Sequence, residues 1–397
     1  MTDLPASWKL HPEHFWLRNI HREKSVDFDA SIGLWNVSGY EDATRILNDH
    51  ETFSSNTSRL VELDAGENPY SDGNLMQMDP PRHTSLRRLV SSAFSTKTVR
   101  ALEPRVEKLA HDLLDAVDGP EMELVSDLAY PLPVIVIAEL LGVPATDRDL
   151  FKGWVDKMLE SSGQFSLVDR QEEQAQEFRE QLDAIRPLYD YLNDHIAQRR
   201  RKPSEDLLSQ LVLAEVDGEK LTDNQIVNFA NIVLFAGHLT STMLLGNTVL
   251  CLDVVPGLAE HVRADRGLLT PAMEESLRFF SPFSLAYRAT TSDVELGGVA
   301  IPKDSMVRVW IAAANRDPHQ FANPDEFELL RNTASHIAFG RGVHFCIGAL
   351  LARLEGQVTL NILLDRFPKL ATLPDKPPTF SHSAEICGVQ SLPLRVR

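Results

Sequence analysis

The residue best placed for chemistry is Cys346, in the stretch Phe339-Gly-Arg-Gly-Val-His-Phe-Cys346-Ile-Gly348. The pattern is Phe-x-x-Gly-x-x-x-Cys-x-Gly, with Ala352 about a turn and a half further on. Gly340, Gly342 and Gly348 let the backbone turn sharply and pass close beneath a flat object. Apolar residues at helical spacing run from Ile347 to Leu364, so Cys346 is expected where a loop feeds a helix N-terminus. Backbone N–H groups and the helix dipole there favour a thiolate. A thiolate flanked by glycines suits an axial ligand to haem iron. The same residue also reads as a buried structural cysteine.

Two further constellations carry polar groups in unusual settings. Thr222 and Gln225 form a capping box that opens a helix of about 33 residues, roughly 50 Å long, stopped by Pro256. It is apolar nearly all round (Ile226, Val227, Phe229, Ile232, Val233, Leu234, Phe235) and is expected to run through the protein's middle. Midway lies Ala236-Gly237-His238-Leu239-Thr240-Ser241-Thr242, with Ala236 and Thr240 on one face. On its own this reads as a packing notch. In Thr270-Pro271-Ala-Met-Glu274-Glu275-Ser-Leu-Arg278, Thr270 is expected to cap a helix. Glu275 and Arg278 then meet at i and i+3, a pair worth about 0.2–0.5 kcal/mol on a surface.

The elements around these groups are mostly helical. Helical patterns dominate from Thr84 to Pro256, after a polar loop from Ser54 to Asp79. Short strands are expected at Ser31–Val37 and Val307–Ile311, with a hairpin about Gly297-Gly298 and a short helix at Glu41–Asn48. An irregular meander follows from Ala313 to Arg331. Arg199-Arg-Arg-Lys202 reads as a solvated helix end. With 43% hydrophobic and 24% charged residues the chain is an ordinary globular one. Its net charge of −18 argues against nucleic-acid binding. Three cysteines without a CxxC pair exclude a disulfide framework and a cysteine-rich zinc site. No run of continuous apolar residues reaches a membrane span and no leader pattern opens the chain, so a cytoplasmic protein without a membrane anchor is expected.

Taken together and in order, these segments resemble the cytochrome P450 family in its soluble bacterial form. The resemblance runs from Trp35-Asn-Val-Ser-Gly-Tyr-Glu-Asp through Asp79-Pro-Pro-Arg-His-Thr-Ser-Leu-Arg87-Arg to the Cys346 loop. Ala236-Gly237-x-x-Thr240 is similar to the family's oxygen-binding helix, and Glu275-x-x-Arg278 with Arg331 to its buried Glu-Arg-Arg cluster. The resemblance implies a mainly α fold with small β-sheets, a helical prism around a buried haem. It also implies one domain over residues 1–397, β-rich near 25–40 and 285–312.

The resemblance further implies haem b, iron protoporphyrin IX, ligated by Cys346 in a loop that includes Phe339 and Gly340. His83, Arg87, Arg288 and His344 would meet the haem carboxylates, and Glu275, Arg278 and Arg331 would be structural. The implied reaction inserts one oxygen atom of O2 into a small or medium lipophilic substrate. Thr240 would stand over the iron and help deliver protons. The residue before it is usually acidic in the family, and here it is Leu239. Three explanations stay open: water reaching Thr240 by another route such as His238 or Ser241, a polar group on the substrate, or poor use of O2.

Substrate-contacting segments would be Leu60–Met78, Ser161–Leu188, Phe235–Leu239, Phe283–Tyr287 and Ile386–Val389, with Phe235, Leu239, Leu285, Ala286 and Ile386 in the pocket. No nucleotide fingerprint is present, so electrons would come from a ferredoxin and its reductase. They would dock near Arg87, Arg88, Arg341 and Arg353. A haem-thiolate sensor or carrier without turnover, a peroxide-driven oxygenase and a colourless packing protein are the competing readings.

Overall fold

The computed structural model describes residues 8–60, 72–160, 166–168, 171–216 and 218–397. Its axis is the helix Asp223–Val254, opened by the expected capping box, in which Thr222 and Gln225 satisfy each other's backbone N–H groups. Most of its length is buried because it is apolar on every face. Its most apolar 18-residue window has a mean hydropathy of 1.4, long and greasy enough to cross a membrane, yet 67% of that window is covered by the protein itself. The helices Pro131–Leu141, Gln171–Arg201, Leu269–Phe279 and Ala349–Arg366 all pack against it.

A five-stranded sheet lies at one side, in the order Val26–Asp29, Leu34–Val37, Met306–Val309, Ala286–Thr290, Phe53–Ser54. Met306–Val309 runs parallel to Leu34–Val37, with Val307 opposite Trp35, and antiparallel to Ala286–Thr290, with Val307 opposite Arg288. The hairpin Val294–Leu296/Val299–Ile301 turns at Gly297 and Gly298, both with positive φ, as the Gly-Gly pair demands.

Several expected boundaries shift for identifiable reasons. The strand begins at Leu34, because Gly33 adopts φ 71° and completes a turn after Asp29. The strand at Met306 ends at Val309, and Ile311–Ala314 turns into a short helix. Thr270 is not a cap: the helix opens one residue earlier, at Leu269, running on from a 3-10 turn capped by Asp265. The helix after the cysteine starts at Ala349 rather than Ile347. The basic helix end is not simply solvated, since Arg199 pairs with Asp206 at 2.6 Å with only 16% of its side chain exposed.

Candidate active site

The central helix and the Cys346 loop share a cavity of about 310 Å³. Phe235, Ala236, Gly237, Leu239, Thr240 and Ser241 line it from the helix, and Phe339, Gly340, His344 and Cys346 from the loop. Ala286 and Arg288 enter from their strand, His83 and Arg87 from the helix Arg82–Ser91. Residues more than 250 positions apart thus meet at one place.

The loop is pinned on all sides. The Cys346 N–H donates to Phe339 O at 2.8 Å, closing its base. At Gly342, with φ 66°, a Cβ would lie 2.4 Å from Leu47 O, so the loop seats against the helix Tyr40–Asn48 only as glycine. Arg87 donates to Val343 O at 2.9 Å and to Phe345 O. Arg353 lies over the Phe339 ring, 4.4 Å from its centroid, and donates to Glu274 at 2.6 and 2.9 Å. Glu274 also meets His336 Nε2 at 2.9 Å. Burial pushes the Glu274 carboxyl up, but hydrogen bonds from Arg353 and His336 outweigh it and bring it down to about 2.

Burial pushes the Cys346 thiol up, opposed by the N–H groups of Gly348 and Ala349 and by the charges of Arg87 and Arg353. The helix start therefore assists a thiolate but does not outweigh burial. A bound metal cation does so outright.

One wall is basic. His83 is buried with no partner for Nδ1, and its ring lies 4.3 Å from that of His344. His344 Nε2 meets Ser55 Oγ at 2.9 Å. Burial, then Arg288 and His83, lower His344 to about 3. Arg288 is buried and donates to Tyr287 O at 2.7 Å. Burial lowers it to about 10, against the pull of Asp79. Asp79 is itself held by Ser54 Oγ and Ser55 N–H. None of His83, Arg87, Arg288 and His344 forms an ion pair among the described residues. Cationic and donor groups gathered beside a cavity without a carboxylate partner fit an acidic ligand, since anions there restore the charged forms. A porphyrin with two carboxylates, seated over a cysteine, meets that description.

On the opposite wall Thr240 Oγ1 donates to Ala236 O at 2.8 Å, so the expected shared face is real. Gly237 packs against Ile137, which a Cβ would approach to 3.0 Å, while still lining the cavity. Leu239 packs with Phe235, Met243, Phe283 and Ile386 in a separate apolar cluster.

Two expectations need correction. Leu285 does not line the cavity: it is 1% exposed in the main core, because strand alternation turns its neighbour Ala286 inward instead. His238 is fully buried and faces Tyr130, ring centroids 5.8 Å apart, away from the cavity. Glu275 and Arg278 are both 0% exposed and joined by two 2.8 Å hydrogen bonds, so the pair is buried rather than the surface pair its spacing alone describes. Arg331 joins them at 3.1 Å. Of the expected substrate segments, residues 61–71, 161–165 and 169–170 lie outside the described residues, while Leu75 and Met76 do line the cavity. The Glu274 cluster escaped sequence reasoning because its partners His336 and Arg353 lie 62 and 79 residues away from it.

Comparison with known proteins agrees with this geometry. The model of the family described as Cytochrome P450 matches residues 29–396. The chain is 39% identical to cyclomarin C epoxidase CymV of Salinispora arenicola, over 97% of this chain and 96% of that protein. It is 40% identical to the erythromycin C-12 hydroxylase of Saccharopolyspora erythraea, over 96% and 93% respectively. Among solved structures it is similar to HmtT, involved in himastatin biosynthesis, with a TM-score of 0.86 and 53% identity over 99% of both chains. A cavity floored by a glycine-flanked cysteine, a basic wall and a threonine-bearing central helix thus sit in a chain that belongs to the cytochrome P450 family, the haem-thiolate monooxygenases.

Proposed function

We propose that the cavity holds haem b through the Cys346 thiolate, with His83, Arg87, Arg288 and His344 meeting its two carboxylates. Bound haem supplies the reductive activation of O2 and insertion of one oxygen atom into substrate, which a thiolate ligand favours across this family. The chain's own residues do the rest. Phe339 and Gly340 seat the loop, and Ala236 and Gly237 leave room above it. The Thr240 hydroxyl, beside them on the cavity wall, holds or passes a proton. Glu275, Arg278 and Arg331 hold the helix Leu269–Phe279 to the meander.

Phe235, Leu239, Ala286 and Ile386 exclude water and bind by apolar contact, which suits a lipophilic substrate. We place that substrate among secondary metabolites, in line with relatives named for erythromycin hydroxylation and cyclomarin C epoxidation. The electron donor is a ferredoxin served by its reductase. Its docking face centres on exposed Arg88 and Arg341, with Phe345 (43% exposed) and Leu350 (45%) beside them. Arg353 is committed to Glu274, and Arg87 lines the cavity where it would meet a haem carboxylate, so neither belongs to the docking face.

The observation that carries the reading is the convergence on one cavity of Cys346 and a basic wall whose His83, Arg87, Arg288 and His344 form no ion pair among the described residues. Purified protein, reduced under CO, should show the thiolate-type absorption, and Cys346→Ser should lose it. Colourless protein from cells supplied with haem precursor, or a Cys346→Ser variant with the parent's spectrum, overturns it.

A further inference from the structure

An acid adjoins the apolar lining of the cavity. Glu385 stands next to Ile386, which lines it, and its main chain is fixed there. Ile386 bridges Phe283, another cavity residue, and the Ser284 N–H donates to Glu385 O at 2.8 Å. The Glu385 N–H donates to Ser383 Oγ at 3.2 Å. These contacts hold the backbone and leave the carboxyl uncommitted. Among the described residues it has no ion pair and no side-chain hydrogen bond.

The Glu385 side chain remains accessible, yet burial alone acts on its carboxyl and pushes it up. A group both reachable and closely surrounded faces an enclosed space rather than open solvent. Cys346 shows the same combination, half-buried and pushed up by burial, because it opens on the cavity. Two basic groups nearby are engaged elsewhere. His14 Nε2 meets Ala384 O at 3.1 Å, and burial pushes the ring down to about 4, so it is neutral at pH 7. Arg308 is buried, donates to Asn36 Oδ1 at 2.9 Å and to Glu13 at 3.3 Å, and lies 4.4 Å from the Trp310 ring centroid. Arg308 and Glu385 both act on Tyr287. Tyr287 packs on the cluster of Ile32, Leu34 and Met306 together with Leu60 and Leu167, which belong to two of the segments expected to touch substrate.

A carboxylate in an enclosed, mostly apolar space is costly until a cation arrives, because its lost hydration is not replaced. A ligand cation that reaches it restores the charged form and gains the attraction of a poorly screened pair. We propose that Glu385 anchors a basic nitrogen of the substrate, so that the preferred substrate is a lipophilic amine, its ammonium at Glu385 and its hydrocarbon along Phe283, Ala286 and Ile386. The proposal rests on the monooxygenase reading and narrows its substrate class. A neutral lipophile meets the same apolar wall but leaves the carboxyl without a partner, so the site discriminates by charge as well as by shape. A glutamate with a purely structural role would be tied to donors, as Glu275 is to Arg278 and Arg331.

The test is isothermal titration calorimetry of the purified holoenzyme at neutral pH. The probes are decyltrimethylammonium, whose nitrogen cannot ligate iron, and neutral decanol. The parent should bind the ammonium more tightly than the alcohol by on the order of tenfold. Glu385→Gln should lose that preference while binding decanol as the parent does, and Glu385→Lys should reverse it. The parent's preference keeps the test readable should a variant not accumulate. A parent that binds the ammonium no more tightly than decanol, or either variant with the parent's preference, overturns the proposal. A parent without the thiolate-type CO spectrum would instead overturn the haem-thiolate reading, and calorimetry, which needs no response from iron, would still read the anchor.

Discussion

Replacing Glu275 by glutamine tests whether the Glu275–Arg278–Arg331 cluster supports the fold. Its carboxylate accepts from Arg278 Nε and Nη2, both at 2.8 Å, from the Glu328 N–H at 2.9 Å and from Arg331 Nε at 3.1 Å. Glu275 and Arg278 are fully buried, and the Arg331 side chain is 6% exposed. Gln has nearly the same shape but no charge, and its NH2 group faces guanidinium N–H groups. The buried Arg278 charge would then stay without an anion, while Arg331 keeps Glu328 at 3.2 Å. Removing one partner of a buried pair costs about 3–5 kcal/mol, roughly ten times an exposed i,i+3 pair. Against a total stability of roughly 5–15 kcal/mol that is a large fraction.

Urea unfolding of parent and variant, followed by far-UV circular dichroism, reads the difference. Arg331→Ala and the double variant close a cycle, and the coupling between the two positions should be about 0.5–3 kcal/mol. Arg331 also donates to Asn323 O and Glu326 O, so its single replacement should be costly too. A loss below about 1 kcal/mol for Glu275→Gln would mean that the cluster is not load-sharing and that the argument from burial fails.

Acid should weaken the protein partly through Glu274. Its carboxyl falls from 4.5 to about 2 in the folded state. It thus contributes stability that is fully present above about pH 4.5 and lost as pH falls from there through about 2. Urea midpoints measured between neutral pH and pH 3 should therefore decline less steeply in Glu274→Gln than in the parent. Gly342→Ala sets a Cβ 2.4 Å from Leu47 O in a left-handed backbone. It should cost more than about 1 kcal/mol and lower the fraction of purified protein carrying haem, read from the ratio of haem to protein absorbance.

Much of the fold followed from local signals. The capping box at Thr222 and the stop before Pro256 bounded the central helix because both act within one turn. Gly297-Gly298 fixed the hairpin because a two-residue turn needs positive φ. What escaped was set by partners distant in sequence. Glu274 gains its partners Arg353 and His336 only through tertiary packing. Leu285 and Ala286 are both apolar, and only the register against Met306–Val309 decides which one faces the cavity. Glu355 did leave a trace: Leu351, Glu355, Thr359 and Leu363 recur every four residues, placing an acid on an otherwise buried stripe.

Glu275 and Glu355 show two answers to one electrostatic problem. Both lie on helices that pack against the central helix, and both are shut away from water. A carboxylate in that setting must be neutralised, by cations or by a proton. Glu275 has two arginines and a backbone N–H, which make it a rigid joint between helix and meander. Glu355 has one serine and an oxygen without a partner, so it remains an acid. The number of donors around each carboxyl separates a carboxyl paired with cations from one that keeps its proton.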